Sequence, residues 1–221
     1  MKKTNEIIAY EKQRSDKLLK NILPEETAKE LIQNGSVKAQ KFDQVSILYT
    51  DFKGFTKHSA NLDPELLVQS IHFYFSSFDE IIGKYGLEKI KTIGDAYMVA
   101  SGVPEEKDDH ALAIFQFAQE MLQAIQQFNE VHNLSLAIRI GISSGPVVAG
   151  VIGKKKFAYD LWGDTVNTAA RMEAYGQASC IQVAPPSYEL LKEEFEFEKI
   201  PNVEIKGKGR MDVYLWTPFT G

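Results

Sequence analysis

The chain has 221 residues, of which 44% are hydrophobic, 25% charged and 11% aromatic, with 15 Gly and 8 Pro. That balance excludes a largely disordered or collagen-like chain and leaves one large domain, or a domain with a small appendage, able to bury a core. With 30 acidic against 25 basic residues the net charge is −5, which argues against general nucleic-acid binding, and the single cysteine, Cys180, rules out an internal disulfide framework and fits a reducing compartment.

No run approaches the ~18 apolar residues of a membrane span, so no direct membrane contact is expected in this chain. MKKTNEIIAYEKQRSDK has basic residues but no apolar core, unlike a signal peptide. The four histidines, His58, His72, His110 and His132, are scattered, and no H-E-x-x-H or C-x-x-C occurs, which argues against zinc.

Thr4 to Ile22 is rich in Lys, Glu and Gln, with Ile7, Ile8, Leu18, Leu19 and Ile22 at broadly helical spacing. After Leu23-Pro24, PEETAKELIQNG reads as a second helix, with Pro24 and two acidic residues at its start and Asn34-Gly35 as its stop. Two readings are open: a solvated amphipathic extension, or a helix that pairs with its copy and transmits motion from an upstream module. Fewer than four clean heptads are present, so periodicity alone does not establish a coiled coil.

VSILYTDF, from Val45, is a nearly continuous apolar run of the kind expected for a buried strand. Asp63-Pro64 starts a helix whose Leu66, Leu67, Ile71, Phe75, Phe78, Ile81 and Ile82 share a face, ending near Gly86. LEKIKTI and AYMVASG flank Gly94-Asp95 as a hairpin. A helix from about Asp109 to Phe128 packs Ile114, Phe117, Met121, Leu122, Ile125 and Phe128, and LAIRIGISS is the next strand. The expected fold is α+β: a ferredoxin-like βαββαβ core with additional C-terminal β/α elements, preceded by N-terminal helices. Residues 1–40 are expected to form the helical segment and residues 41–221 the main domain.

Asp51 falls at the C-terminal end of the first strand and Asp95 in the hairpin turn. The first strand and the hairpin's first strand are expected to flank each other centrally, bringing both side chains to one rim. Two carboxylates ~4 Å apart repel by about 4 kcal/mol at an effective dielectric of 20, so the pair needs a proton or a cation. An oxygen-only cluster suits Mg²⁺ or Mn²⁺, and two such ions clamp in-line phosphoryl displacements. The alternative is a pair of ordinary turn aspartates. FKGFT follows Asp51; Gly54 permits close backbone approach and the amides of such a turn suit phosphate oxygens, although the motif alone is unspecific.

Two other motifs fail. Gly141 to Gly145 matches the G-x-S-x-G elbow of hydrolases, but strand-like PVVAGVIG follows and the last histidine, His132, lies upstream. GVIGKKK lacks the spacing and the Ser/Thr of a P-loop, and Lys154, Lys155 and Lys156 read as a solvated loop tip.

At DFKGFT, KIKTIGDAYM, YDLWGDTVNTAARME and IKGKG the sequence resembles the catalytic domain of class III nucleotidyl cyclases, over about Val45 to Trp216, and NILPEETAKELIQNG resembles the helical transducer segment preceding it in many bacterial members. The resemblance implies that Asp51 and Asp95, with the Phe52 carbonyl, hold two Mg²⁺ or Mn²⁺ ions, and that backbone groups from Phe52 through Gly54 and Phe55 to Thr56 cradle the β- and γ-phosphates. It implies that Asn167 orients the ribose, Arg171 stabilises charge growing on the α-phosphate, and Lys206, or its neighbour Lys208, contacts the terminal phosphates. Lys91 and Asp160 match the base-selecting positions of adenylyl cyclases. Adenine offers an N6 donor to Asp and an N1 acceptor to Lys, whereas guanine presents the opposite pattern, and such a site can discriminate by ~10⁴.

What this resemblance implies is an adenylyl cyclase that turns ATP into 3′,5′-cyclic AMP and pyrophosphate, as the output domain of a signalling chain. In the family, one domain supplies the metal aspartates and the other the base-selecting pair with Asn167 and Arg171; all are present here, which implies a homodimer with two equivalent sites. The expected location is cytoplasmic, either free or as the cytoplasmic part of a membrane-anchored receptor with its sensor upstream of the N-terminal helices. A guanylyl cyclase and a catalytically silent nucleotide-binding module are the competing readings. A cyclic-dinucleotide synthase is disfavoured because TIGDAY stands where a GGDEF-like hairpin would be.

Overall fold

The computed structural model describes residues 10, 11, 13–15, 17–19, 21–53, 64–132, 135–154 and 156–218. The described part of residues 10–19 is helical. Helix α1 (Glu25–Asn34) follows, preceded by Pro24 and ended by Gly35 at φ +68°, a left-handed stop that a Cβ would strain. The remaining elements are β1 (Gln40–Phe52), α2 (Pro64–Tyr85), β2 (Glu88–Ile93), β3 (Ala96–Ser101), α3 (His110–His132), β4 (Ile138–Ile152), β5 (Ala158–Trp162), α4 (Asp164–Ala174), β6 (Ile181–Val183), α5 (Pro185–Leu191), β7 (Glu198–Ile205) and β8 (Gly209–Trp216). None of the described helices is long and apolar enough to cross a membrane.

One eight-stranded sheet runs β2-β3-β1-β4-β6-β8-β7, with β5 paired to β4. The βαββαβ core is present, but β1 lies beside the second strand of the hairpin, β3, and not the first. The reason is connectivity: α2 carries the chain across to β2 in the direction of β1, and the tight hairpin then inserts β3 antiparallel between the two. The consequence for the carboxylates is favourable, because the start of β3 abuts the end of β1.

Both faces of the sheet are covered, which explains the continuous apolar run of β1. On one face Leu48 and Phe52 pack with Phe78 of α2 and with Ile114, Phe117, Met121, Leu122 and Ile125 of α3. Leu66 and Leu67 lie outside the residues whose side chains are described. On the other face Val45 and Ile47 meet Val166 and Ala169 of α4, together with Leu23, Ala28 and Leu31 from the α1 region. Phe75, Phe78, Ile81 and Ile82 of α2 and Ile114, Phe117, Met121, Leu122, Ile125 and Phe128 of α3 pack as expected, and α3 runs four residues beyond Phe128.

The G-x-S-x-G decoy has a packing explanation. Gly141 lies under α4 so closely that a Cβ there would come 1.9 Å from the Glu173 backbone nitrogen, and Gly145 sits at φ +152°. Ser143 is buried mid-strand between them.

Candidate active site

Asp51 is the penultimate residue of β1, and Asp95 follows Gly94 in the β2–β3 turn, where φ is +62°. The antiparallel register of β1 with β3, Thr50 opposite Tyr97, sets the turn beside Asp51 and Phe52. The two carboxyl groups face each other. Burial, then a hydrogen bond with Asp51 and its charge, raise the Asp95 carboxyl above the ordinary range, opposed by the backbone N–H groups of Asp95 and Phe52, which donate to it. A carboxylate pair so held binds a proton or a cation.

Among the described residues no group of three or more His, Cys, Asp or Glu side chains is arranged to hold a metal ion. Two converging carboxylates with adjoining backbone are nonetheless a fitting donor set for Mg²⁺ or Mn²⁺. These ions keep several waters and bind through one or two carboxylates plus substrate phosphates, with no all-protein cage.

Arg139 on β4 is a residue that the sequence reading passed over. It lies directly opposite Asp51 in the β1–β4 ladder, and its Nη2 donates to Asp51 Oδ2 at 3.0 Å. The same nitrogen lies 2.9 Å from Glu173 Oε1, and Nη1 donates to the Ala174 carbonyl at 3.3 Å, at the C-terminal end of α4 where the helix dipole favours a cation. Burial lifts the Glu173 carboxyl to about 7, with Arg139 pulling down and the charges of Asp51 and Asp95 pushing up. The available signal was an arginine between Ile138 and Ile140, both fully buried: alternation turns such a side chain to the opposite face, on the side of Asp51.

The second charged cluster joins residues 69 positions apart. Lys91 Nζ on β2 donates to Asp160 Oδ2 on β5 at 2.6 Å, and the other Asp160 oxygen accepts from the Leu161 N–H at 2.9 Å. The side chains of Lys91 and Asp160 are 34% and 15% exposed, so they form a half-buried pair and not two solvated surface charges. Tyr49 of β1 stands near enough for the Asp160 charge, after burial, to raise its phenol.

Asn167 and Arg171 are one turn apart on α4, away from its buried Val166, Ala169 and Met172. Thr165 Oγ1 donates to the Pro146 carbonyl at 2.8 Å, fixing the start of the helix. The β7–β8 turn lies along α4: the Lys208 ammonium pairs with Asp164, while Lys206 is exposed and its backbone N–H donates to the Tyr175 hydroxyl at 3.3 Å. Gly54, Phe55 and Thr56 lie outside the described residues. The structure thus brings Asp51 to Asp95 and Lys91 to Asp160. Among the described residues no hydrogen bond or ion pair joins the two clusters.

The family model for the adenylate and guanylate cyclase catalytic domain matches residues 37–217, and the chain belongs to that family. An adenylate cyclase of Mycobacterium tuberculosis is 40% identical over 206 residues, covering 93% of this chain and 46% of that protein. Human atrial natriuretic peptide receptor 2 is 42% identical over 209 residues, covering 92% of this chain and 20% of the receptor. The chain thus spans about half the length of the mycobacterial relative and a fifth of the receptor. Among solved structures, the guanylate cyclase domain of RhGC from Catenaria anguillulae, in complex with GTP, superposes with a TM-score of 0.77 at 35% identity, covering 80% of this chain and 97% of that one. The α+β arrangement with preceding helices is that of a nucleotidyl cyclase catalytic domain.

Proposed function

We propose that this domain is an adenylyl cyclase, converting ATP to 3′,5′-cyclic AMP and pyrophosphate at sites shared between two copies of the chain. The observation that carries the choice of base is the Lys91–Asp160 pair at 2.6 Å. An adenine entering between these groups finds an acceptor for its N6 amino group in Asp160 and a donor to its N1 in Lys91. Guanine would set its O6 against the carboxylate and its N1–H against the ammonium, leaving buried polar groups mispaired.

In the reaction the ribose 3′-oxygen attacks the α-phosphorus, the bond to the β-phosphate oxygen breaks, and the hydroxyl proton is lost to base or solvent. Two Mg²⁺ or Mn²⁺ ions held by Asp51, Asp95 and the Phe52 carbonyl would supply an acidified 3′-hydroxyl and charge neutralisation at the triphosphate. We assign the β- and γ-phosphates to backbone N–H groups from Phe52 through Gly54 and Phe55 to Thr56, the last three outside the described residues. Asn167 orients the ribose, and Arg171 presents its guanidinium to the charge developing on the α-phosphate. We assign the terminal phosphates to Lys206 in preference to Lys208, whose ammonium Asp164 already engages.

One feature supports the dimer: Val148, Ile152, Phe157 and Trp162 leave apolar surface exposed on and around the β4–β5 ribbon. The α1 region, anchored to the sheet by Leu23, Ala28 and Leu31, is the route by which an upstream sensor would act. We place the domain in the cytoplasm, where ATP is supplied.

The guanylate cyclase domain of RhGC among the similar structures, solved with GTP, makes GTP the competing substrate. Incubation with each nucleotide and Mn²⁺ decides between them: cyclic AMP as the dominant product is expected, and preferential cyclisation of GTP overturns the assignment.

A further inference from the structure

Arg139 stands between two carboxylates that make unequal demands on it. Its Nη2 is in a well-aligned hydrogen bond with Asp51 at 3.0 Å, whereas the 2.9 Å contact of the same nitrogen with Glu173 Oε1 is off the line of a hydrogen bond. Arg139 Nε and Glu173 Oε1 are both buried and have no hydrogen-bond partner. They are a matched donor and acceptor on two side chains already in contact. A small rotation of the guanidinium away from Asp51 would engage them and leave the second half of a bidentate fork on Glu173. The backbone permits little else, because α4 is clamped on Gly141 at the Glu173 nitrogen and the Ala174 carbonyl already holds Nη1.

We infer that Glu173 is a positioning residue for divalent-cation binding: it is the carboxylate to which Arg139 transfers when cations load onto Asp51. This rests on the reading of Asp51 and Asp95 as metal ligands. A guanidinium bonded to Asp51 competes with a divalent ion for the same oxygen, and the two cations repel. Glu173 lowers the cost of that exchange by offering Arg139 a second anion within reach, so the charge moves by rotation without returning to water. The four groups in the exchange are the carboxylates of Asp51, Asp95 and Glu173 and the Arg139 guanidinium, on β1, the β2–β3 turn, α4 and β4.

The relay predicts a definite pattern in Mn²⁺ binding, read by electron paramagnetic resonance of free Mn²⁺ in the presence of a non-cyclisable ATP analogue. Glu173→Gln weakens Mn²⁺ binding about tenfold, a coupling of the size expected for contacting groups, while the melting temperature and the rate at saturating Mn²⁺ change little. In an Arg139→Met background the same substitution changes Mn²⁺ affinity less than about twofold, because the competitor is gone. Glu173→Asp, which keeps the charge, stays within about threefold of the parent, so a loss from altered packing is told apart from a loss of charge. Unchanged affinity in Glu173→Gln, an equal loss in the Arg139→Met background, or an equal loss in Glu173→Asp overturns the inference alone. A parent protein with no saturable Mn²⁺ binding sensitive to Asp51→Asn overturns the metal site itself.

Discussion

The two charged clusters on this sheet stand in contrasting states of balance. Lys91 and Asp160 neutralise each other one to one, half-buried and directly bonded. At the other cluster Asp51 and Glu173 both contact the one guanidinium, Arg139, and Asp95 lies against Asp51, a formal surplus of two negative charges when the three carboxylates are ionised. The difference teaches what each is suited to bind. A balanced pair can open to accept an uncharged base whose donors and acceptors are complementary; an unbalanced one calls for cations, and a triphosphate brings them.

The sharpest way to break that contrast is to remove the surplus. Asp95→Asn should lower cyclase activity by at least about 10³-fold, measured with Mn²⁺ and ATP, because one carboxylate cannot order both ions. Arg171→Ala should cost about 10²–10³-fold, read in kcat with little change in KM, since its contact strengthens as charge develops. At the balanced cluster, Asp160→Asn should leave turnover measurable and cut the preference for ATP over GTP about ten- to a hundredfold, as a carboxylate acceptor becomes a group that can also donate. Gly141→Ala strikes the frame common to both clusters: α4 must shift to admit the Cβ, and denaturant titration should show a loss of about 1–3 kcal/mol.

The smallest effect concerns a histidine outside both clusters. His110 is buried, with Nδ1 2.8 Å from Ser46 Oγ, and Ser46 continues to Ser144 at 2.6 Å. Burial pulls the imidazole below its ordinary 6.5, opposed by the charges of Asp109 and Asp108. The unfolded chain therefore takes up this proton first as pH falls, so the stability held above pH 6.5 declines below it, by at most about 1.4 kcal/mol per pH unit. Glu88 and Glu173, whose carboxyls burial raises to about 7, act in the opposite sense, so the test is the difference between the parent and His110→Asn across pH 7 to 5. The variant should show the shallower loss.

Much of the fold was legible because it is written in local patterns. β1 announces burial on both faces by its apolar run, Gly94-Asp95 marks the hairpin, and α2 and α3 carry their core residues at helical spacing. Which hairpin strand adjoins β1 has no local signature; it follows from the crossover, and the first-strand expectation was wrong for that reason. Gly141 and Gly145 imitated a catalytic elbow because close helix packing and a positive φ within the strand both demand glycine. The candidate site divides the same way. Asp51 and Asp95 could be paired from strand ends, whereas Lys91 and Asp160, 69 residues apart, were linked only through family resemblance. Arg139 was missed since one polar residue within a strand reads as an ordinary outward-facing position until its ladder partner is known.

The most direct test of the shared site is complementation. Asp51→Ala and Arg171→Ala chains, each nearly inactive alone, are mixed under conditions in which dimers exchange. The account predicts recovered cyclase activity, because a mixed dimer holds one site with neither substitution. A mixture that exchanges subunits and stays inactive would place both residues in the same site of one chain and contradict it.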